Sequence, residues 1–184
     1  MKKLFPLLSL LMLLATMSSA QRLYTRNANV YFDATSKNSP EQIEAKSQSG
    51  TLVLDLATGR VESAVLLKGL LFEKALMQEH FNENYVESDK YPKASFKGKI
   101  ENASSLNLKK DGEYKANLVG KMSLHGVTKD VRYPATFTVK KGVVSANCSF
   151  VVVLADYDIS VPSMVADKLN KNATVKIDAT LQPM

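Results

Sequence analysis

The 184-residue chain has one cysteine, two histidines and few long apolar runs. A single thiol, Cys148, leaves no partner for an internal disulfide, so stability must come from packing, and the alternating pattern around Cys148 suits a small buried hydrophobe. With only His80 and His125 available, and neither at helical or strand spacing from the other, a histidine-rich metal site is excluded. His80 with Glu79 or Glu83 is the one weak metal combination. His125, followed by Gly126, reads first as a turn residue whose ring bonds backbone. No GxSxG nucleophile elbow and no phosphate-cradling glycine loop occurs. Ser123 and His125 share a strand face without an acid near them in sequence, and the acids Glu79, Glu83, Glu87 and Asp89 sit among Asn82, Asn84, Ser88 and Lys90, as in a solvated loop. No catalytic set can therefore be assembled, and no cofactor is implied. Dense Lys/Arg runs are missing too. The formal charge of +6 is spread over scattered lysines, which argues against nucleic acid as a partner.

The one long apolar run is at the start, in MKKLFPLLSLLMLLATMSSAQ. Lys2 and Lys3, the apolar stretch from Leu4 to about Ala15, and the small residues Ser18 and Ala20 form a bacterial-type secretory signal with cleavage expected after Ala20. No later segment approaches the roughly 18 apolar residues of a membrane-spanning helix. Residues 21–184 are thus expected to be one exported domain, periplasmic or secreted and not membrane-spanning, with a net charge of +4 once the two lysines are gone.

That domain alternates with a period of two, the pattern of half-buried strands. Leu52, Leu54 and Leu56 share one face; so do Ala94, Phe96, Gly98 and Ile100. The alternation recurs from Ala116 to Leu124, Val131 to Val139, Val144 to Val152 and Val175 to Leu181. Further strands are expected at Ala28 to Ala34, Ile43 to Ser47, Thr51 to Thr58 and Val61 to Phe72. Gly59, Lys110-Asp111-Gly112, His125-Gly126, Lys141-Gly142 and Asn170 to Asn172 punctuate the runs as turns. The alternation breaks twice, at a short helix over Glu73 to Asn82 and at one helical turn over Ser163 to Leu169. The fold class is all-β: an antiparallel barrel of about eight strands with one or two short helices, with a two-sheet sandwich as the alternative.

A barrel of this size fills itself with side chains or encloses one apolar ligand, and alternation reads the same in both cases. Leu76-Met77, His80-Phe81, Tyr91-Pro92, Ala94 to Phe96, Gly120 and Leu124-His125-Gly126-Val127-Thr128-Lys129 resemble, in order and spacing from about Gly50 onward, the YceI-like family of exported, lipocalin-like, polyisoprenoid-binding proteins. The segment Arg26 to Ser47 lacks the two histidines that members commonly carry there. The resemblance implies a lipocalin-like barrel whose interior holds an amphiphilic lipid, such as a polyisoprenoid or fatty-acid derivative, as a non-catalytic carrier or scavenger. Lining residues expected on this basis are Leu54, Leu56, Phe72, Phe81, Phe96, Leu118, Met122, Tyr133, Phe137, Phe150 and Ile177. Leu76, Met77 and Phe81 are expected to close one end, and Ser95, Tyr133 and Tyr157 to supply polar groups at the mouth. The other reading is an envelope stress-related interaction module with a filled core and no ligand. The pattern is compatible with a homodimer.

Overall fold

The structure, a computed structural model, describes residues 22–184. The expected signal segment lies outside the described residues. Among them, the chain forms strands β1 (Arg22–Thr35), β2 (Glu44–Asp55), β3 (Arg60–Leu66), the two-residue β4 (Leu71–Phe72), helix α1 (Ala75–His80), β5 (Lys93–Ile100), β6 (Gly112–Leu124), β7 (Val127–Lys140), β8 (Val143–Val153) and β9 (Leu169–Pro183). Every ladder is antiparallel. The order β1-β9-β8-β7-β6-β5-β3-β2 is closed by a β1–β2 pairing, and β4 adds a short ladder to the start of β2. This is a closed eight-stranded antiparallel barrel, with neighbours in space following neighbours in sequence. Closure pairs both sides of the barrel strands and removes the open edge through which another chain could add a strand.

Tight turns explain the meander. Between β6 and β7 both central residues, His125 and Gly126, have positive φ (50° and 77°), and between β7 and β8 Lys141 and Gly142 do the same (53° and 77°). Two-residue loops of this kind match the right-handed twist of the flanking strands. β1 slips register against β2 around Ala28 and against β9 between Tyr24 and Asn29. Such bulges bend a strand enough to help close a barrel.

Three expected boundaries are corrected. Ile43 to Ser47 and Thr51 to Thr58 are not two strands: Glu44–Asp55 is one strand, β2, which continues through a bulge at Gln48-Ser49 to Gly50, paired with Ala28, and residues 56–58 form the turn after it. Val61 to Phe72 is interrupted by a 3-10 turn at Leu67–Gly69 that turns Leu67 and Leu70 inward. Only Ser163–Val165 of the second helical segment is helical, as a single 3-10 turn.

The interior has two apolar clusters, one above the other. The first, toward the β2–β3 and β7–β8 turns, packs Leu23, Leu54, Ile100, Val139, Val144 and Leu181 around Phe137. The second, toward α1, gathers Val30, Ala34, Leu67, Leu70, Phe81, Met122, Leu124 and Val152. The first cluster is filled with side chains around Leu54, Ile100 and Val139 but borders open space at Val61, Leu118 and Phe137. The second encloses space.

Candidate ligand-binding cavity

A cavity of about 310 Å³ runs from the α1 end of the barrel to its middle. Inward positions of alternating strands make its wall. β1 contributes Val30, Phe32 and Ala34; β6 contributes Leu118, Met122 and Leu124; β8 contributes Ala146, Cys148, Phe150 and Val152. Over it lies the segment from β4 to Val86, whose Phe72, Met77, Phe81, Tyr85 and Val86 face down. Phe72 is tied to α1 by its N–H, which donates to Gln78 Oε1 at 2.9 Å. Phe32, Phe72 and Phe81 form a tilted aromatic triad with ring centroids 4.9–6.2 Å apart, so the cover and the β1 wall make one apolar surface. Opposite them Tyr133 stacks on Phe150 at 4.0 Å.

Of the expected lining residues, Phe72, Phe81, Phe96, Leu118, Met122, Tyr133, Phe137, Phe150 and Ile177 lie on this cavity. Leu54 and Leu56 do not. They point inward, as alternation requires, but Leu54 is wholly buried in the filled cluster below, and Leu56 packs against that cluster. Of the three residues expected to close one end, Met77 and Phe81 line the cavity, while Leu76 is corrected: it is 62% exposed. The inward residues of β1 and the Leu67–Leu70 turn were not expected on the wall. The alternation of Ala28, Val30, Phe32 and Ala34 carried that signal for β1; nothing local carries it for the turn.

The polar groups at the mouth differ from the expected ones. Ser95 is on the wall, Tyr133 lies deep, and Tyr157 is buried away from the cavity. The rim is made instead by Ser39, Glu41, His80 and Lys168. Lys74 Nζ donates to Glu41 Oε1 at 2.8 Å. That hydrogen bond and its charge, with Lys168 beside them, hold the Glu41 carboxyl below its ordinary range.

Inside, polarity is muted. Burial, and after it the adjoining Tyr157 hydroxyl, pushes the Tyr133 phenol well above its ordinary range, so it remains neutral; its O–H points at Met122 Sδ, 3.3 Å away. Burial pushes the Cys148 thiol up to about 11. An un-ionised thiol is a poor nucleophile.

His125 lies outside the cavity and anchors its cover. Its side chain is 12% exposed; Nδ1–H donates to the Tyr157 carbonyl at 2.9 Å, and Nε2 sits 2.7 Å from Glu87 Oε2. Tyr91 meets the ring edge-on and also covers Gly126, where a Cβ would lie 2.7 Å from the Tyr91 ring. The turn-residue reading of His125 therefore describes its place, but its link to Glu87 was not legible in sequence. Ser123 is bonded to Thr128 Oγ1 at 2.7 Å rather than to His125. Among the described residues no three His, Cys, Asp or Glu side chains converge as metal ligands, and no helix is long and apolar enough to cross a membrane.

Solved structures with the same fold include a polyisoprenoid-binding domain from Saccharophagus degradans implicated in plant cell wall breakdown, with a TM-score of 0.75 at 10% identity over 90% of this chain and 99% of that one. Burkholderia cenocepacia BcnA aligns with a TM-score of 0.67 at 15% identity, over 84% and 96% of the two chains. The Campylobacter jejuni YceI protein gives 0.55 at 15% identity, over 76% and 85%. At these identities the likeness is one of fold. No curated protein matches the sequence at a significant level. The model of the YceI-like domain matches residues 22–181, so the first hairpin is included despite its missing histidines, and the chain belongs to the YceI-like family.

Proposed function

We propose that this protein is a non-catalytic carrier, exported to the periplasm or beyond, that holds one amphiphilic lipid in the barrel with its tail inside and its polar end at the rim. The observation that carries this reading is the cavity itself: an apolar space of about 310 Å³, within the lower part of the range for small-molecule pockets and bounded by a charged rim. Polyisoprenoids and fatty-acid derivatives both have the required shape. Membership in the family, and the polyisoprenoid-binding domain among its structural relatives, support the same class.

Burial alone supplies enough affinity. About twelve methylenes at roughly 0.8 kcal/mol each give on the order of 10 kcal/mol gross, which leaves about micromolar binding after ordering costs. No strong polar recognition is needed, in keeping with the neutral Tyr133 and Cys148. An interaction module with a filled core fits less well, since only the lower half of the interior is filled.

The test is extraction of natively purified protein with organic solvent, followed by mass spectrometry. A stoichiometric long-chain lipid is expected. Protein that is consistently empty, and that takes up no lipid from vesicles, would sink the proposal.

A further inference from the structure

The cavity has a fixed bottom. Leu52, Val61, Phe96, Leu118, Phe137 and Ala146 are where the cavity meets the lower cluster, and Leu54, Ile100 and Val139 of that cluster pack beside them without reaching the cavity. Phe137 is 1% exposed and Leu54 is fully buried, so neither has room to retreat.

Phe96 is held down by the strands beneath it. Gly98 and Gly120 face each other across β5 and β6. A Cβ on Gly98 would lie 2.6 Å from Phe96 Cζ and 2.3 Å from the Val119 carbonyl oxygen. The missing side chain is therefore the seat in which the Phe96 ring lies. A ring lodged against backbone is a floor, not a gate.

The depth above that floor can be sized from three strands. Ala28 to Ala34 on β1, Leu118 to Leu124 on β6 and Ala146 to Val152 on β8 each bound the cavity over the same number of residue steps. Six steps at roughly 3.3 Å make about 20 Å along a strand, and about 15 Å along the barrel axis at a tilt near 40°. An extended chain advances about 1.2 Å per bond, as the polypeptide backbone itself does. The strands thus enclose about a dozen chain carbons, or roughly three isoprene units.

We infer that the floor formed by Phe96, Leu118 and Phe137 makes this barrel a ruler: the ligand class is a single-chain amphiphile of which about a dozen chain carbons are bound, and further carbons lie outside the strands. A long polyisoprenoid is then held by its terminal units only. This inference rests on the carrier reading and adds a length to it.

The experiment displaces a bound anilinonaphthalene sulfonate dye with unbranched fatty acids of increasing length. Affinity should rise about fourfold per added carbon and then level off near a dozen. Ala146→Leu and, from the adjacent strand, Ala135→Leu each raise the floor, since both alanines line the cavity. In either variant the break should move about two to three carbons shorter. A cooperative thermal transition identifies variants that fold. Affinity that climbs without a break through about twenty carbons would overturn the ruler, as would a break that stays put in a folded variant. Failure of every fatty acid to displace dye from the unmodified protein would overturn the carrier reading, and the ruler with it.

Discussion

At the scale of single residues, the cavity can be probed through Cys148, whose thiol is on its wall and donates to the Pro134 carbonyl oxygen at 3.2 Å. Burial pushes this group up to about 11. Since the thiolate is the reactive form, only about one molecule in a thousand is competent at pH 8. Alkylation by iodoacetamide, followed by intact mass, should be slow at pH 8, gain about tenfold per pH unit to pH 10, and slow again when a lipid fills the barrel. Fast alkylation at pH 8 would show that the thiol is not buried. The same shift fixes the sign of a stability effect. The folded thiol holds its proton to about 11, while the unfolded thiol loses it near its ordinary value. The contribution is therefore present below the ordinary value and is lost as pH rises toward 11. The urea midpoint should fall over that window, and Cys148→Ala should make the fall shallower.

At the scale of elements, the cover depends on one histidine on another hairpin. Residues 81–92 carry Phe81, Tyr85 and Val86 over the cavity, and their ties to the barrel include Glu87 to His125 and the Leu67 N–H to the Pro92 carbonyl at 2.9 Å. Replacing His125 by Ala removes both ring hydrogen bonds and the Tyr91 ring contact, and should cost about 1–3 kcal/mol, because the partners are partly buried. Hydrogen exchange should quicken within residues 81–92 and 154–157 while β6 to β9 stay protected. Uniform acceleration would mean that His125 supports the whole barrel instead. Lys68, which pairs with Asp89 of the same cover on an exposed surface, is the contrast: Lys68→Ala should cost less than about 1 kcal/mol. These elements also mark the limit of what was legible. Alternation places Phe96, Leu118 and Phe137 inward because strand periodicity is local. It also reads Leu54 and Leu56 as equivalent to them, because a period of two records the face and not the height along the barrel axis. Height is set by register, and register depends on bulges such as those around Ala28 that leave no strong local mark. The Glu87–His125 contact joins residues 38 apart in sequence, beyond any periodic signal.

At the scale of the whole molecule, the interior of the barrel has two parts. The lower part is packed as a core around Leu54 and Val139, and the upper part leaves an apolar cavity, which the proposed carrier function would fill with a lipid. Empty, that upper half loses the dispersion contacts a packed interior would make, so the protein without lipid should be less stable than the same chain filled. Mass action gives the size. A ligand present at a hundred times its dissociation constant stabilises the folded state by about 2.7 kcal/mol. For a domain of this length each 1 kcal/mol moves Tm by roughly 2–4 °C, so removing the lipid on a hydrophobic resin should lower Tm by about 5–10 °C, and adding back a long-chain fatty acid should restore it. Calorimetry of native, stripped and refilled protein makes the comparison. Equal transitions in all three would mean that the upper half is stable empty and that nothing added has entered it.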